Sequence, residues 1–109
     1  LDLAAIADLW NQGSVVRSWL LELAAAALAE DPGLDRVAGY VEDTGEGRWT
    51  VEQAIAHGVP MPAIAASLFV RFRSRQQDTF SGKMLAALRN EFGGHAVKAR
   101  DERPAGDQP

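Results

Sequence analysis

The sequence predicts an all-α domain, and three features of the chain support this. Apolar residues recur at helical spacing through nearly all of the chain before residue 96. Glycine and proline fall between these periodic segments, where helices usually end. No run of alternating apolar and polar residues predicts a strand. The 109 residues, 47% of them hydrophobic, are enough for one small domain with a real core.

The first two helices are predicted on either side of Gly13. Asp2 can cap a helix that runs to about Asn11, and Ser14 can cap a second helix over residues 15–30. The second helix is apolar on nearly every side, so we expect it to be buried all round. The few other helices of this chain cannot surround it. We therefore expect a second copy of the chain, or a further domain, to cover part of it.

Two shorter helices are predicted in the middle of the chain. The first covers Leu34 to Val41, with its apolar residues facing inward. A polar loop follows, and Thr50 and Gln53 then form the pattern of a capping box for a helix from Val51 to His57. Gly58 is expected to end this helix.

The last two helices are predicted over residues 63–75, after Pro62, and over residues 80–92. In the second of these, Met84, Leu85 and Leu88 are expected to face inward. The helical domain is thus expected to span residues 1–97. Residues 98–109 are charged, contain proline and glycine and hold no large apolar side chain, so we expect a disordered tail.

The composition excludes several classes of protein. A net charge of −4 argues against a general nucleic-acid binder. Cysteine is absent, which excludes disulfides and thiolate metal sites and fits a cytoplasmic location. The longest apolar stretch, residues 19–29, is interrupted by Glu22 and is too short to span a bilayer, so no membrane partner is expected. Because the chain starts at Leu1, within a predicted helix, we expect it to be a piece of a longer protein.

An anion-binding function is indicated by the stretch from Arg89 to His95. A guanidinium group suits phosphate and carboxylate oxygens, and an imidazole can donate or accept a proton near neutral pH. Gly93 and Gly94 allow a sharp bend that can bring the imidazole back toward the guanidinium. The alternative is a helix that simply ends at two glycines, with both side chains on the surface. The chemistry of these residues alone favours that alternative.

Arg71 is a second candidate for anion binding. It lies beside the apolar stripe formed by Leu68 and Phe72, so it is expected to be partly buried and to need an anionic partner. That partner could be an internal carboxylate, Glu22 or Glu46, or it could be a ligand phosphate. The neighbouring Arg73 and Arg75 are interpreted as surface charges.

The glycine-rich loop before residue 50 holds a third candidate, Arg48. Glycines at 45 and 47 let the backbone pass close to a ligand while Arg48 points toward it. The alternative is a tight turn anchored by a buried Trp49. The residues of this loop alone slightly favour the tight turn.

Catalytic machinery is not apparent in the chain. No Gly-x-Gly-x-x-Gly motif, phosphate loop or nucleophile elbow occurs, and neither histidine has metal-ligand spacing. We therefore predict anion-binding groups but no metal, no bound cofactor and no catalytic residue in this chain.

Five motifs occur in one order along the chain and together resemble a known family. They are Trp10-x-x-Gly13 with the following Ser-Val-Val-Arg-Ser, Gly45-Glu-Gly-Arg-Trp-Thr, Gly58-Val-Pro, Leu68-Phe-Val-Arg-Phe-Arg-Ser, and Arg89-x-x-Phe-Gly-Gly-His95. Their order and spacing resemble the C-terminal helical domain of the decarboxylating 6-phosphogluconate dehydrogenases. The resemblance covers residues 1 to about 97, and the second and fifth motifs are similar to the shorter bacterial branch.

The resemblance implies an enzyme of gluconate metabolism and the pentose phosphate pathway. Such an enzyme oxidises 6-phosphogluconate at C3, and the keto acid then loses carbon dioxide to give ribulose 5-phosphate. A Rossmann domain, expected upstream of Leu1, would bind NAD or NADP. The catalytic lysine and glutamate would also lie upstream. The helical domain would form a homodimer and most of the floor of the substrate site.

The resemblance also implies roles for four residues. Arg71 matches an arginine that binds the substrate phosphate, and Arg89 and His95 match a pair that reaches the neighbouring subunit's site. Arg48 falls where the longer branch has a phosphate-binding lysine, and this departure makes its role the weakest of the four. The alternative function is a non-catalytic helical dimerisation module left from a truncated gene. A third interpretation is a related hydroxyacid dehydrogenase with another substrate. The set of Arg71, Arg89 and His95 favours a phosphorylated acid over a small unphosphorylated one.

Overall fold

The computed structural model describes residues 1–100 as five α-helices, which confirms the predicted all-α class. The helices are α1 (Leu3–Gly13), α2 (Trp19–Glu30), α3 (Glu46–His57), α4 (Pro62–Ser74) and α5 (Phe80–Gly93). Within the described part, β-structure is limited to one isolated antiparallel bridge between Val37 and Ala99. None of the described helices is both long and apolar enough to cross a bilayer.

The core lies where α1 and α5 pack against α2, while α3 packs against α4. Its buried members are mostly small, which lets the helices approach closely. Partly buried residues such as Leu3, Leu21 and Met84 pack around it. The buried core residues are Ala7, Ala27, Leu28, Leu34 and Ala87.

Side-chain caps set the ends of the first two helices. The Asp2 carboxylate accepts the N–H of Ala5 at 3.0 Å, which confirms the predicted N-cap of α1. The predicted start of α2 was wrong: Ser18 caps it and accepts the N–H of Leu21 at 3.1 Å. Ser14 instead ends α1, because its hydroxyl donates to the Trp10 carbonyl at 2.7 Å. Residues 15–17 therefore connect the two helices.

The predicted helix over residues 34–41 does not form, although its inward residues were correct. Leu34 and Val41 are 1% and 3% exposed. Three of its backbone N–H groups bond to distant parts of the chain: Ala38 to the Lys98 carbonyl, Gly39 to Asp78, and Val41 to the Ser74 hydroxyl. An N–H that donates outside the segment is not available to a helical ladder. We call residues 37–42 the connecting segment.

The start of α3 was also predicted wrongly. The helix begins at Glu46, after Gly45 with φ 107°, a left-handed conformation that favours glycine. The hydroxyl of Thr50 donates to the Glu46 carbonyl inside the helix, so it is not a cap. Trp49 is 60% exposed and does not anchor the turn by burial. Gly58, with φ 64°, ends α3 as predicted.

The last two helices agree closely with their predicted bounds. Pro62 occupies the first turn of α4, and Thr79 caps α5 by accepting the N–H of Gly82 at 3.1 Å. Leu85 was expected to face the core, but it is 42% exposed. Met84, which was also expected to face inward, does pack against the core.

Large apolar side chains around α2 are exposed on this single chain. Val16, Trp19 and Leu20 are each more than half exposed, and the Trp19 ring lies 4.7 Å from the ring of Phe92. Burial on every side of α2 therefore does not occur within the described chain. Its covering by a second copy or a further domain stays a prediction.

The segment after α5 returns to the connecting segment. The backbone carbonyl of Lys98 accepts the N–H of Ala38 at 2.9 Å. The Lys98 ammonium lies 3.9 Å from the centre of the Tyr40 ring. The disordered tail was predicted over residues 98–109. Residues 101–109 of that range lie outside the described residues.

Candidate functional site

Two arginines line one pocket of about 440 Å³, Arg71 from α4 and Arg89 from α5. Residues four positions apart lie on the same face of a helix. Ser67 lies four positions before Arg71 on α4, and Leu85 lies four positions before Arg89 on α5, so each pair lines the pocket together. Both arginines are half-buried. The remaining lining is small or apolar and consists of Val41, Ala66 and Val70.

The guanidinium of Arg89 is fixed by the backbone of the connecting segment. Its Nη1 donates to the Glu42 carbonyl at 3.0 Å. Partial burial lowers the pKa of Arg89, the nearby positive charge of Arg71 lowers it further, and the Glu42 carboxylate opposes both effects. Positive charge is thus concentrated in the pocket without being fully balanced.

Neither arginine of the pocket forms an ion pair within residues 1–100. Of the two carboxylates considered as partners of Arg71, Glu22 is exposed on α2. A hydrogen bond from the Thr44 hydroxyl lowers the pKa of Glu46, and the positive charge of Arg71 adds to this effect. The charge of Arg71 therefore stabilises the charged form of Glu46, although the two side chains form no ion pair. Two half-buried cations without a paired acid are suited to bind an anion that carries more than one charge.

Arg48 lies outside this pocket lining and is held by an internal acid. Its Nη2 and Nε approach one oxygen of Asp43 at 2.6 and 3.2 Å. The Asp43 side chain is only 3% exposed and also accepts the N–H of Gly45. The Arg48 guanidinium also covers the ring of Phe72, 4.9 Å from its centre. In this chain Arg48 closes the turn before α3.

His95 follows the predicted glycine bend but does not reach the Arg89 guanidinium. Gly94 has φ 65° and closes the end of α5, and the N–H of His95 donates to the Arg89 carbonyl at 3.4 Å. The imidazole Nδ1 lies 3.3 Å from the same carbonyl oxygen. A Cβ on Gly93 would lie 3.0 Å from this nitrogen, so a side chain there would push the imidazole away from its present place. The imidazole is exposed at the end of α5, outside the pocket lining.

Sequence reasoning missed three groups: the Glu42 carbonyl and Ser74, which bond to residues of the pocket, and Arg75, which lies beside Phe72. Arg75 was interpreted as a surface charge, but it is half-buried and lies 5.5 Å from the centre of the Phe72 ring. Its Nε is buried without a hydrogen-bond partner among the described residues. Ser74 could have been noticed, because a serine three positions after Arg71 lies on the same helix face. No sequence pattern indicates a backbone carbonyl as a partner.

Replacing Asp43 by asparagine is expected to lower the melting temperature at pH 7. Hydrogen bonds from Arg48 lower the pKa of Asp43, partial burial opposes this, and the Gly45 N–H and the charges of Arg48 and Arg75 lower it further. A carboxyl whose pKa is lowered on folding stabilises the fold above its unfolded pKa of about 3.9. That contribution is lost as the pH falls through the folded pKa.

The difference in melting temperature between wild type and Asp43→Asn should therefore shrink as the pH falls below about 4. Thermal melts followed by circular dichroism between pH 7 and pH 2 measure it. Asp8→Asn, at an exposed position of α1, is the matched control and should change little. A difference that stays constant over the whole pH range would contradict the role of the Asp43 charge.

Within residues 1–100, no three His, Cys, Asp or Glu side chains come together as a set that could hold a metal ion. The family described as 6-phosphogluconate dehydrogenase, C-terminal domain, matches residues 1–81. The match covers α1 to α4, including Arg48 and Arg71, and ends at the start of α5.

Individual relatives extend the similarity to nearly the whole chain. The chain is 50% identical over 99 residues to the Bacillus subtilis (strain 168) protein YqeC, named as a candidate 6-phosphogluconate dehydrogenase. This alignment covers 91% of the chain and 33% of the relative. The chain is also 44% identical over 103 residues to a Haloferax volcanii protein named as an NAD(+)-dependent, decarboxylating 6-phosphogluconate dehydrogenase. That alignment covers 94% of the chain and 34% of the relative.

A third relative is longer and less similar. The decarboxylating 6-phosphogluconate dehydrogenase of Bacillus licheniformis is 36% identical over 83 residues, which are 71% of the chain and 18% of that protein. The higher identities are thus to the shorter proteins, as the glycine-containing motifs predicted. The chain spans about a third of the length of the two more similar relatives.

Proposed function

This chain belongs to the family of the 6-phosphogluconate dehydrogenase C-terminal domain, and we propose that it binds the substrate in such an enzyme. The enzyme would oxidatively decarboxylate 6-phosphogluconate to ribulose 5-phosphate with reduction of NAD or NADP, in gluconate metabolism and the pentose phosphate pathway. One observation carries the proposal: Arg71 and Arg89 line one pocket and have no ion-paired acid among residues 1–100.

The two arginines would hold the charged end of the substrate. A phosphate dianion offers three oxygens, and two guanidinium groups can each donate to it in a forked geometry. Binding such an anion would offset the repulsion between Arg71 and Arg89. The apolar lining, which includes Val41 and Val70, would limit water around these hydrogen bonds and strengthen them.

His95 and Arg48 belong to the proposal in less direct roles. His95 is exposed at the end of α5, where it could face the substrate site of a neighbouring subunit. Arg48 would contact an anion only if it exchanged Asp43 for it, because that carboxylate already holds its guanidinium. The exchange would be unfavourable unless another cation, such as Arg75, compensated Asp43.

The proposed enzyme needs parts that this chain does not supply. The described residues form no strand, glycine loop and helix unit of the kind that binds dinucleotides. NAD or NADP and the catalytic acid and base would therefore be held in another part of the enzyme, and the Haloferax volcanii relative, which is named as NAD(+)-dependent, favours NAD. A homodimer is supported by the exposed apolar side chains of Val16, Trp19 and Leu20.

The proposal is tested with the intact gene product. Substrate-dependent reduction of NAD and of NADP is measured with 6-phosphogluconate and, as the matched control, with gluconate, which lacks the phosphate. We expect turnover with 6-phosphogluconate and little with gluconate. The oligomeric state is measured on the same sample by analytical ultracentrifugation, where a dimer is expected.

Failure would favour the second candidate, a non-catalytic helical dimerisation module. A dimeric gene product that neither turns over nor binds 6-phosphogluconate in calorimetry would support that module and contradict the enzyme. Arg71 and Arg89, which have no ion-paired acid among residues 1–100, would then bind a different anion.

A further inference from the structure

Ser74, at the end of α4, bonds to two residues that line the arginine pocket. Its side chain is buried, with 6% of the residue exposed. The hydroxyl oxygen accepts the N–H of Val41 at 2.8 Å. The hydroxyl donates to the Arg71 carbonyl at 2.6 Å, and the Val41 carbonyl is a longer alternative acceptor at 3.4 Å. Ser74 therefore ties the connecting segment directly to the turn of α4 that carries Arg71.

The residue after Val41 holds the second arginine. The Glu42 carbonyl accepts a hydrogen bond from Nη1 of Arg89 at 3.0 Å. A continuous path of contacts thus runs from the backbone of Arg71 through Ser74, Val41 and Glu42 to the guanidinium of Arg89. A displacement of Val41 would shift the adjoining Glu42 carbonyl and would therefore move the Arg89 guanidinium relative to Arg71.

We propose that Ser74 is a positioning residue for the anion pocket, whose hydroxyl sets the separation of Arg71 and Arg89. This inference depends on the proposed substrate-binding function of those arginines. Two guanidinium groups bind one phosphate well only at a separation that lets both donate to it. Ser74 itself does not line the pocket, so it acts through the connecting segment and Arg89.

A purely structural role for Ser74 makes a different prediction. A buried hydroxyl that only stabilises the fold would lower the melting temperature when removed and leave the affinity of the folded protein unchanged. A positioning role lowers affinity for a phosphorylated ligand, and it does so only while Arg89 is present. The two roles are therefore distinguished by a double-mutant cycle.

The test measures the Kd of the intact gene product for 6-phosphogluconate by isothermal titration calorimetry. For Ser74→Ala we expect the Kd to rise about five- to tenfold, the effect of weakening the ligand's contact with a displaced Arg89 by about one hydrogen bond. Ser74→Thr keeps the hydroxyl and should retain most of the affinity. In the Arg89→Ala background, adding Ser74→Ala should raise the Kd less than twofold.

A control variant separates affinity from stability. Ala27→Gly lies in the core between α1 and α2 and destabilises a helix by about 1 kcal/mol without touching the pocket. Its Kd should equal that of the wild type although its melting temperature falls.

The possible outcomes separate the inference from the proposed function. If Arg89→Ala weakens binding but Ser74→Ala does not, the positioning role is wrong and the arginine site stands. An equal effect of Ser74→Ala with and without Arg89 would also overturn the inference. If Arg89→Ala has no effect, or the wild type does not bind, the proposed function fails and the inference fails with it.

Discussion

Arg71→Ala is expected to raise the Kd for 6-phosphogluconate by roughly 10- to 150-fold, the effect of losing one charge-assisted hydrogen bond worth about 1.5–3 kcal/mol. Arg71 is half-buried and has no ion-paired acid among residues 1–100, so its charge is available to a ligand. The loss should be confined to ligands that carry the phosphate. Affinity for gluconate, measured beside it by calorimetry, should change much less.

The stability of this variant should change much less than its affinity. The charge of Arg71 disfavours the charged form of Arg89 but favours that of Glu46, so its removal relieves one repulsion and loses one attraction. The melting temperature of Arg71→Ala should therefore stay close to that of wild type, while affinity falls. Arg73→Ala, at an exposed position on the same helix, is the matched control and should leave the Kd unchanged.

Two results would count against this account of the pocket. If the Arg71→Ala protein bound 6-phosphogluconate with wild-type affinity, Arg71 would not belong to the binding site. A similar loss of affinity for gluconate and 6-phosphogluconate would mean that Arg71 does not contact the phosphate. In either case Arg89 would have to bind the charged end of the substrate alone.

Gly82→Ala is expected to destabilise the fold by about 1–3 kcal/mol, which lowers the melting temperature by roughly 4–24 °C for a domain of this size. A Cβ at Gly82 would lie 2.5 Å from the carbonyl oxygen of Gly39 and 3.2 Å from its Cα. Both glycines are buried, and the atoms in the way belong to the backbone. The first turn of α5 would have to move away from the connecting segment to make room.

The comparison for this variant is Gly13→Ala. Gly13 also lies in a helix, but a Cβ there meets nothing within 4 Å. Alanine is the better helix former, so this control should be neutral or slightly stabilising. Thermal melts of the two variants and wild type measure the contrast. Equal melting temperatures for Gly82→Ala and Gly13→Ala would show that α5 and the connecting segment can separate freely.

Much of the fold could be predicted because its determinants are local. Asp2 and Gly58 end helices through contacts with residues a few positions away, and a single sequence contains that information. The segment from Leu34 to Val41 shows the limit. Its apolar spacing correctly identified the inward residues, but its N–H groups bond to Ser74, Asp78 and Lys98, which no local pattern reveals.

The site could be predicted only in part for a related reason. The sequence identifies Arg71 as a cation beside an apolar stripe, and the family resemblance gives it a role. That Arg71 and Arg89 line the same pocket depends on how α4 and α5 lie in space. The bond from Arg48 to Asp43 is different, because an acid five positions before an arginine across a glycine turn was a readable signal. Here the plainer interpretation, a closed turn, describes the geometry, although Trp49 is exposed.

The connecting segment has a consequence for the order in which the chain folds. Its bonds from Val41 to Ser74, from Gly39 to Asp78 and from Glu42 to Arg89 span 33, 39 and 47 positions. Closing long loops is slow and unfavourable in entropy until several such contacts form together. The packing of α1 on α2 needs only a short loop, so it can form early. The arginine pocket is then completed late in folding and is among the first features lost in local unfolding.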